Sequence, residues 1–269
     1  MRADHFETLF RLSVSCHRYA VRFLYFAYDD DAVQAAYAVN VSQGVEHEVL
    51  IIFHVARIYP DTEELISDLA AAYRQVIAEL YAAGCRNIQF DDCTWGMIID
   101  DDYWKAMAGT SFTLKSEAER YQKVNNLALQ DKPADIVINT HICRGNYHST
   151  WASKGAYDPV APYVFAKENV SAFYLEYDDE RSGGFEPLKY IPEYKKVVLG
   201  LITTKSPVLE DKDAVKRRIE EASKYVSLDR LYLSPQCGFA SCEIGNKLTE
   251  EQQWAKIDLV REIAAEVWK

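Results

Sequence analysis

The sequence lacks any run of lysine and arginine residues. Its 30 basic residues are outnumbered by 41 acidic ones, which gives a formal net charge of −11. A basic patch is the electrostatic footprint of nucleic-acid binding, and a chain this acidic is repelled by anionic lipid surfaces. We therefore expect neither a nucleic acid nor a membrane as a partner.

Long apolar runs are also missing. The most hydrophobic early stretch, AVRFLYFAY, is nine residues long and is interrupted by Arg22. A helix needs about 20 apolar residues to cross a bilayer. The first residues do not combine a basic segment, an apolar segment and a small-residue cleavage site, so the expected location is the cytoplasm.

Cysteine is sparse, with six residues scattered over 269 positions. Disulfide frameworks belong mainly to short secreted proteins, so core thiols, metal ligands or nucleophiles are the expected roles here. The glycine-rich motifs GxGxxG and GxxxxGK[ST] follow none of the strand-like segments. Their absence disfavours the nucleotide-binding α/β folds.

Strand-like and helix-like segments alternate from about residue 60. Helical periodicity, with capping residues such as Asp61 and Thr249, covers 62–83, 114–129, 210–226 and 249–268. Apolar strand patterns cover 48–55, 87–92, 135–140, 172–179, 195–204 and 230–236. Such alternation predicts parallel βα units and an α/β fold of the (β/α)8 TIM barrel class. We expect one catalytic barrel domain over 1–269, incomplete or irregular on its N-terminal side, because eight strands close such a barrel.

Metal-binding residue types follow several of these strands. In a barrel, functional side chains lie at the carboxyl ends of the strands. His141 and Cys143 are two residues apart and therefore point to one side of an extended strand. Each residue alone suits a packed core position, whereas together with Glu176 and Cys237 they make a plausible tetrahedral Zn²⁺ site.

Four segments resemble the cobalamin-independent methionine synthase family, and in particular short single-domain relatives of its catalytic half. They are HICRGNYHSTW, FYLEYDDERSGGFEPL, KKVVLGLITTK and LSPQCGFASCEIGNKL, and the segment from Tyr59 to Asp92 fits the same relatives. Residues 58–269 match well, whereas 1–57 are diverged or truncated. The resemblance implies zinc-dependent transfer of a methyl group from 5-methyltetrahydrofolate, or its polyglutamate, to the thiol of homocysteine.

The resemblance also implies roles for individual residues. The family's zinc ligands correspond to His141, Cys143, Glu176 and Cys237. Its acid for the substrate amino group corresponds to Asp91, and Thr8 replaces the serine of an N-terminal substrate element. Where the synthases usually have glutamate and proline after that acid, this chain has Asp92 and Cys93.

The methyl-bearing nitrogen of the folate needs a proton as the methyl group leaves. Candidate donors are His148, Asp92 and Asp178, and Tyr177 is a candidate for lining a substrate pocket. Two alternatives remain open: alkyl transfer to a thiol from a methylcorrinoid protein or an epoxide, and a truncated zinc-binding protein without turnover. Partners are then a small-molecule thiol and a methyl donor, with the oligomeric state open.

Overall fold

A computed structural model of the chain describes residues 59–102, 113–240 and 244–269. The strand predicted at 48–55 and the substrate residue Thr8 lie outside these residues. The five other predicted strands and all four predicted helices lie within them.

The described residues form short and long helices around five strands. The helices are α1 (Thr62–Ala82), α2 (Thr94–Ile98), α3 (Leu114–Ala128), α4 (Val164–Lys167), α5 (Lys212–Ala222) and α6 (Glu250–Val267). The strands are β1 (Asn87–Asp91), β2 (Val137–Ile142), β3 (Ala172–Glu176), β4 (Lys196–Ile202) and β5 (Leu231–Pro235). Each predicted strand is therefore confirmed, but β2 starts and ends two residues later than its pattern indicated. That shift places His141 inside the strand.

The five strands form one parallel sheet in the order β1-β2-β3-β4-β5. Chain order and spatial order coincide, as in a barrel, whereas a doubly wound sheet reverses its order at a switch point. Within the described ranges the sheet is open between β1 and β5. All carboxyl ends meet at one edge, and this edge carries the predicted site.

Burial on both faces explains the composition of the inner strands. In β4 all residues after Lys196 are buried, and β3 is buried except for Tyr174. Nearly continuous apolar sequence is typical of parallel strands covered on both sides. Gly200 is required within β4 because an added Cβ would lie 2.7 Å from the carbonyl oxygen of Leu175.

Local capping explains where the long helices begin. The side chain of Asp61 accepts a hydrogen bond from the amide of Glu63 at the start of α1. At α6 the predicted capping box is confirmed, because Thr249 and Gln252 bond each other's backbone amides. A cap of this kind is worth about 1 kcal/mol.

The helices cover the sheet in sequence order. Helix α1 packs against α3, and α6 packs against both α5 and β5. In α5 the inward face carries Val215, Ile219 and Ala222 at the expected helical spacing. None of the helices among the described residues is both long and apolar enough to cross a membrane.

Candidate metal centre

Three potential metal ligands converge at the carboxyl edge of the sheet. His141 belongs to β2, Cys143 follows that strand directly, and Cys237 lies two residues after β5. One ligand atom from each of these three residues lies within 4.8 Å of the others. We call His141, Cys143 and Cys237 the sulfur cluster. The predicted proximity of His141 and Cys143 is thus present in the fold. Cys237 reaches them from the loop after β5, the strand at the far end of the sheet order.

The chemistry of the sulfur cluster fits a zinc ion. His141 and Cys143 are buried, and among the residues that the structure describes Nε2 of His141 has no hydrogen-bond partner. Burial alone would lower the pKa of His141, but the sulfurs of Cys143 and Cys237 raise it well above its usual range. Two sulfurs and an imidazole are ligands that Zn²⁺ prefers, and a set of three leaves a position for substrate, as in catalytic sites.

Helix α2 supports the backbone of the ligand Cys143. Gly96 in this helix lies so close that an added Cβ would be 2.1 Å from the carbonyl oxygen of Cys143. The carbonyl of Gly96 accepts a hydrogen bond from Ser153 at 2.8 Å. Only glycine allows this approach, so the sequence CTWGMI fixes where the ligand-bearing turn lies.

A third sulfur lies beside the sulfur cluster. Sγ of Cys93 is 3.2 Å from Sγ of Cys143, and it also donates to a carboxylate oxygen of Asp91 at 3.1 Å. Cys93 is partly exposed, whereas Cys143 is 3% exposed. Sequence reasoning noted Cys93 as a departure from the family pattern but gave it no role.

The fourth predicted ligand, Glu176, is held by cations. Its Oε1 pairs with Arg181 at 2.8 Å and with Lys205 at 3.3 Å, and its Oε2 accepts from the amide of Arg144 at 2.6 Å. Asp178 pairs with the same two cations at 3.3 and 3.1 Å. We call Glu176, Asp178, Arg181 and Lys205 the ionic cluster. Glu176 lies at the predicted edge, but it is outside the group formed by the three other ligands, and its role in metal binding stays a prediction.

A buried arginine connects the turn after β2 to β3. Arg144 is fully buried, its guanidinium donates to the carbonyl oxygens of Gly155 and Glu176, and it lies 4.2 Å from the centre of the Tyr157 ring. The Tyr157 hydroxyl also contacts Arg144 at 3.0 Å. This contact set fixes the backbone between the ligand Cys143 and Glu176. Sequence reasoning missed it, although Arg144 stands inside the quoted motif HICRGNYHSTW.

An amide network holds the loop that carries Cys237. Asn146 donates to the carbonyl of Gly238 at 2.7 Å and to the Thr204 hydroxyl at 3.0 Å. Asn246 donates to Asn146 at 2.9 Å and to the carbonyl of Thr204 at 2.8 Å. Gln236 accepts from the Thr204 amide at 2.7 Å. These hydrogen bonds join the loops after β2, β4 and β5 beside Cys237. The only signal for this network in the sequence is that Asn146 and Asn246 stand inside the motifs shared with the family.

The three candidate proton donors have different surroundings. Both carboxylate oxygens of Asp178 are engaged by the cations of the ionic cluster. The side chain of His148 is partly exposed, and its Nδ1 lies 3.3 Å from the carbonyl oxygen of Gly245. Its backbone has a positive φ of 47°. Asp92 accepts from Trp95 at 2.9 Å and from Asn125 at 2.5 Å. Their catalytic roles stay predictions.

A second buried carboxyl group lies beside Asp92. The side chain of Glu168 accepts from Asn125 at 2.6 Å and from Trp95 at 3.2 Å, the same donors that bind Asp92. Burial, with the charge of Asp92 added, raises the pKa of Glu168 to about 8. Burial also raises the pKa of Asp92 to about 6, against the effect of its two donors. Asn125 of α3 and Trp95 of α2 bind both members of this pair, and no motif in the sequence pointed to Glu168.

The two described substrate candidates occupy opposite environments. Asp91 ends β1, is exposed and is the register partner of His141, so its carboxylate lies at the mouth of the site. Tyr177 is fully buried between the rings of Tyr157 and Phe185, whose centres are 5.3 and 4.7 Å away. In this conformation Tyr177 has no surface to offer to a ligand, because the chain after Glu176 turns into the core.

A parallel sheet whose carboxyl edge carries a histidine and two cysteines that could hold a metal ion defines an α/β protein with a candidate active site at that edge. The family described as "Cobalamin-independent synthase, Catalytic domain" matches residues 51–265. The chain belongs to this family, whose fold confirms the predicted α/β barrel.

Individual relatives show the extent of the similarity. The Bacillus subtilis protein YxjG is 50% identical over 203 residues, which are 75% of this chain and 54% of the relative. A solved structure of a putative vitamin-B12 independent methionine synthase from Listeria monocytogenes is 43% identical, with a TM-score of 0.63, over 78% of this chain and 57% of that one.

A Bacillus licheniformis protein named 5-methyltetrahydropteroyltriglutamate–homocysteine methyltransferase is more distant. It is 27% identical over 180 residues, which are 65% of this chain and 21% of the relative. The chain spans about half the length of the first two relatives.

Proposed function

We propose that this chain is a zinc-dependent S-methyltransferase of the 5-methyltetrahydropteroyltriglutamate–homocysteine type. It transfers the methyl group of 5-methyltetrahydrofolate, or of its polyglutamate, to the thiol of homocysteine and forms methionine. The observation that carries the proposal is the sulfur cluster, in which three zinc-type ligand atoms lie within 4.8 Å at the carboxyl edge of a parallel sheet. The name of the Bacillus licheniformis relative supports the substrates.

His141, Cys143 and Cys237 would hold the zinc ion. A free thiol has a pKa of about 8.5 and is mostly protonated at neutral pH, although the thiolate is the nucleophile. Bound zinc supplies the positive charge that keeps the thiol of the substrate ionised. The two cysteine sulfurs keep the site electron-rich, which favours attack on a weak methyl donor.

The chain's own residues orient the amino acid. Asp91 is exposed, and Cα register places it beside His141 across the β1–β2 pair. Its carboxylate is therefore positioned to bind the ammonium group of homocysteine while the thiol points to the sulfur cluster. Charge-assisted hydrogen bonds of this kind contribute about 1.5–3 kcal/mol.

The leaving folate nitrogen needs a proton donor near the same edge. His148 and Asp92 each have a side chain outside the ionic cluster, and Asp178 has both oxygens occupied by Arg181 and Lys205. We propose that the donor is His148 or Asp92. The pH–rate profiles of His148→Gln and Asp92→Asn separate them, since only the true donor's substitution removes the limb due to a protonated acid.

The test is methionine formation by the zinc-loaded chain from homocysteine and methyl-folate. Cys237→Ala is the inactive control, and Cys85→Ser, whose thiol donates to the carbonyl of Asn87 away from the sulfur cluster, is the matched active control. Methionine formed by the chain and lost in Cys237→Ala supports the proposal. Turnover with a methylcorrinoid protein or an epoxide, but none with methyl-folate, would show that methyl-folate is not the methyl donor. Zinc binding without turnover with any donor would show that the chain is a zinc-binding protein and not an enzyme.

A further inference from the structure

Cys93 and Cys143 form a pair of free thiols that no step of the proposed reaction uses together. Their sulfurs are 3.2 Å apart, whereas a disulfide bond is about 2.0 Å long, so a small side-chain rotation brings them to bonding distance. We propose that Cys93 and Cys143 are a site of reversible oxidation, at which peroxide joins the two sulfurs in a disulfide.

The backbone geometry of the sheet suits such a bond. The register of β1 and β2 runs from Asn87 opposite Val137 to Asp91 opposite His141. Cys93 and Cys143 each stand two residues beyond that last pair. Cys93 is the N-cap of α2, and the amide of Asp92 beside it donates to the carbonyl of His141 at 2.9 Å, so the two chain segments stay adjacent beyond the last register pair.

The different exposure of the two thiols determines which one reacts with peroxide first. Cys93 is partly exposed and Cys143 is buried, so peroxide meets the sulfur of Cys93 first. That sulfur attacks one peroxide oxygen, becomes a sulfenic acid and releases water. The sulfur of Cys143 then attacks the sulfur of Cys93, and the departing hydroxide forms a second water with the thiol proton of Cys143 or, in the zinc-loaded chain, with a proton from solvent as the zinc ion leaves. Two thiols and one hydrogen peroxide thus give one disulfide and two waters.

The disulfide would empty the metal site. A sulfur in a disulfide is no longer a thiolate, and the thiolate is the form that binds zinc. Oxidation therefore removes one of the three members of the sulfur cluster, and reduction by a dithiol restores it. The cross-link depends only on the two sulfurs, whereas the loss of metal also rests on the zinc site proposed above.

Peptide mapping of the peroxide-treated chain tests the cross-link. The zinc-loaded, full-length protein is treated with hydrogen peroxide, its remaining thiols are alkylated, and it is digested without reductant for mass spectrometry. A chromogenic chelator measures released zinc in parallel. We expect a peptide linking Cys93 to Cys143, the release of one zinc ion for each link, and recovery of both free thiols after dithiothreitol.

Two serine variants sharpen the result. Cys93→Ser should bind zinc before oxidation and form no link at Cys143, while Cys85→Ser, at the other end of β1, should behave as the unmodified chain does. If Cys93→Ser does not fold, the peptide map of the unmodified chain still shows whether Cys93 and Cys143 are linked. Alkylation of both Cys93 and Cys143 after peroxide treatment would overturn the proposal, as would a link from Cys143 to Cys237 with Cys93 left free.

The two proposals fail separately. A chain that binds no zinc but forms the Cys93–Cys143 link keeps the oxidation site and loses the zinc site. A chain that binds zinc through Cys237 and forms no such link loses only the oxidation site.

Discussion

The sulfur cluster and the ionic cluster lie at the same edge of one sheet, but within residues 59–102, 113–240 and 244–269 only the ionic cluster pairs its charged groups with one another. Glu176 and Asp178 each contact both Arg181 and Lys205, so two negative charges meet two positive ones. In the sulfur cluster the buried Nε2 of His141 has no hydrogen-bond partner in the described part of the chain. A buried polar group costs free energy unless it is paired, so a metal ion bound by His141 would give this nitrogen a partner, whereas the ionic cluster pairs its charges without one.

The largest expected effect is the loss of a sulfur ligand. Cys237→Ala should abolish stoichiometric zinc binding and methyl transfer, because two remaining ligands do not hold the ion at a site of this kind. Metal analysis after gel filtration measures the first effect and methionine formation the second. Circular dichroism should show an unchanged fold, since Cys237 is only partly buried. Full zinc content in this variant would mean that the cluster is not the metal site.

Removing the charge of Glu176 should act mainly on stability. Glu176→Gln leaves Arg181 and Lys205 with one buried anion instead of two, which should lower the free energy of unfolding by about 3–5 kcal/mol. Urea denaturation gives this value. The matched control is Asp179→Asn, because Asp179 pairs with Arg181 at the surface and should change stability by less than about 1 kcal/mol.

The same variant tests Glu176 as a ligand. Zinc content at saturation should stay at one ion per chain in Glu176→Gln, with a weaker affinity. A loss as complete as that in Cys237→Ala would make Glu176 a required ligand and would join the two clusters into one site.

The amide network should matter for metal affinity more than for stability. Asn246→Ala removes hydrogen bonds to Asn146 and to the carbonyl of Thr204, beside the loop of Cys237. Groups that orient metal ligands typically change affinity roughly 10- to 100-fold. Competition with a zinc chelator measures this change, and Asn126→Ala, whose amide caps Lys167 in another region, should leave affinity unchanged.

The last expected effect is a pH dependence of stability due to Glu168. Its pKa is raised from 4.5 to about 8 in the folded chain, so the folded state binds more protons than the unfolded state between these values. Its contribution to stability is therefore fully present below about pH 4.5 and is lost as the pH rises towards 8. Glu168→Gln mimics the protonated acid, so the variant should gain stability over the unmodified chain from pH 5 to 8. Urea titrations at each pH measure the difference, and a constant difference would contradict the raised pKa.

Local signals in the sequence predicted most of the fold. The helical stripe of Val215, Ile219 and Ala222 and the capping pair Thr249 and Gln252 depend on residues within two turns of each other, and both are present. The parallel strands followed from continuous apolar segments. The meeting of Cys143 and Cys237 required that all strand ends share one edge and that the sheet curve, because two strands separate β2 from β5.

The rest depended on contacts that a single sequence does not display. Arg181 and Lys205 reach Glu176 from 5 and 29 positions away, and Asn246 reaches Asn146 across 100. Tyr177 follows a strand in a polar segment, yet its ring is enclosed by two others in the core. Side-chain partners of this kind depend on how loops fold over the sheet, and periodicity carries no information about them.

The most direct test of the central claim is X-ray absorption at the zinc edge of the metal-loaded chain, with and without homocysteine. If His141, Cys143 and Cys237 hold the ion, the spectrum should contain two sulfur neighbours and an imidazole, and the substrate thiol should add a third sulfur. A spectrum with only nitrogen and oxygen neighbours, unchanged by homocysteine, would contradict the proposed metal centre and the thiol chemistry that depends on it.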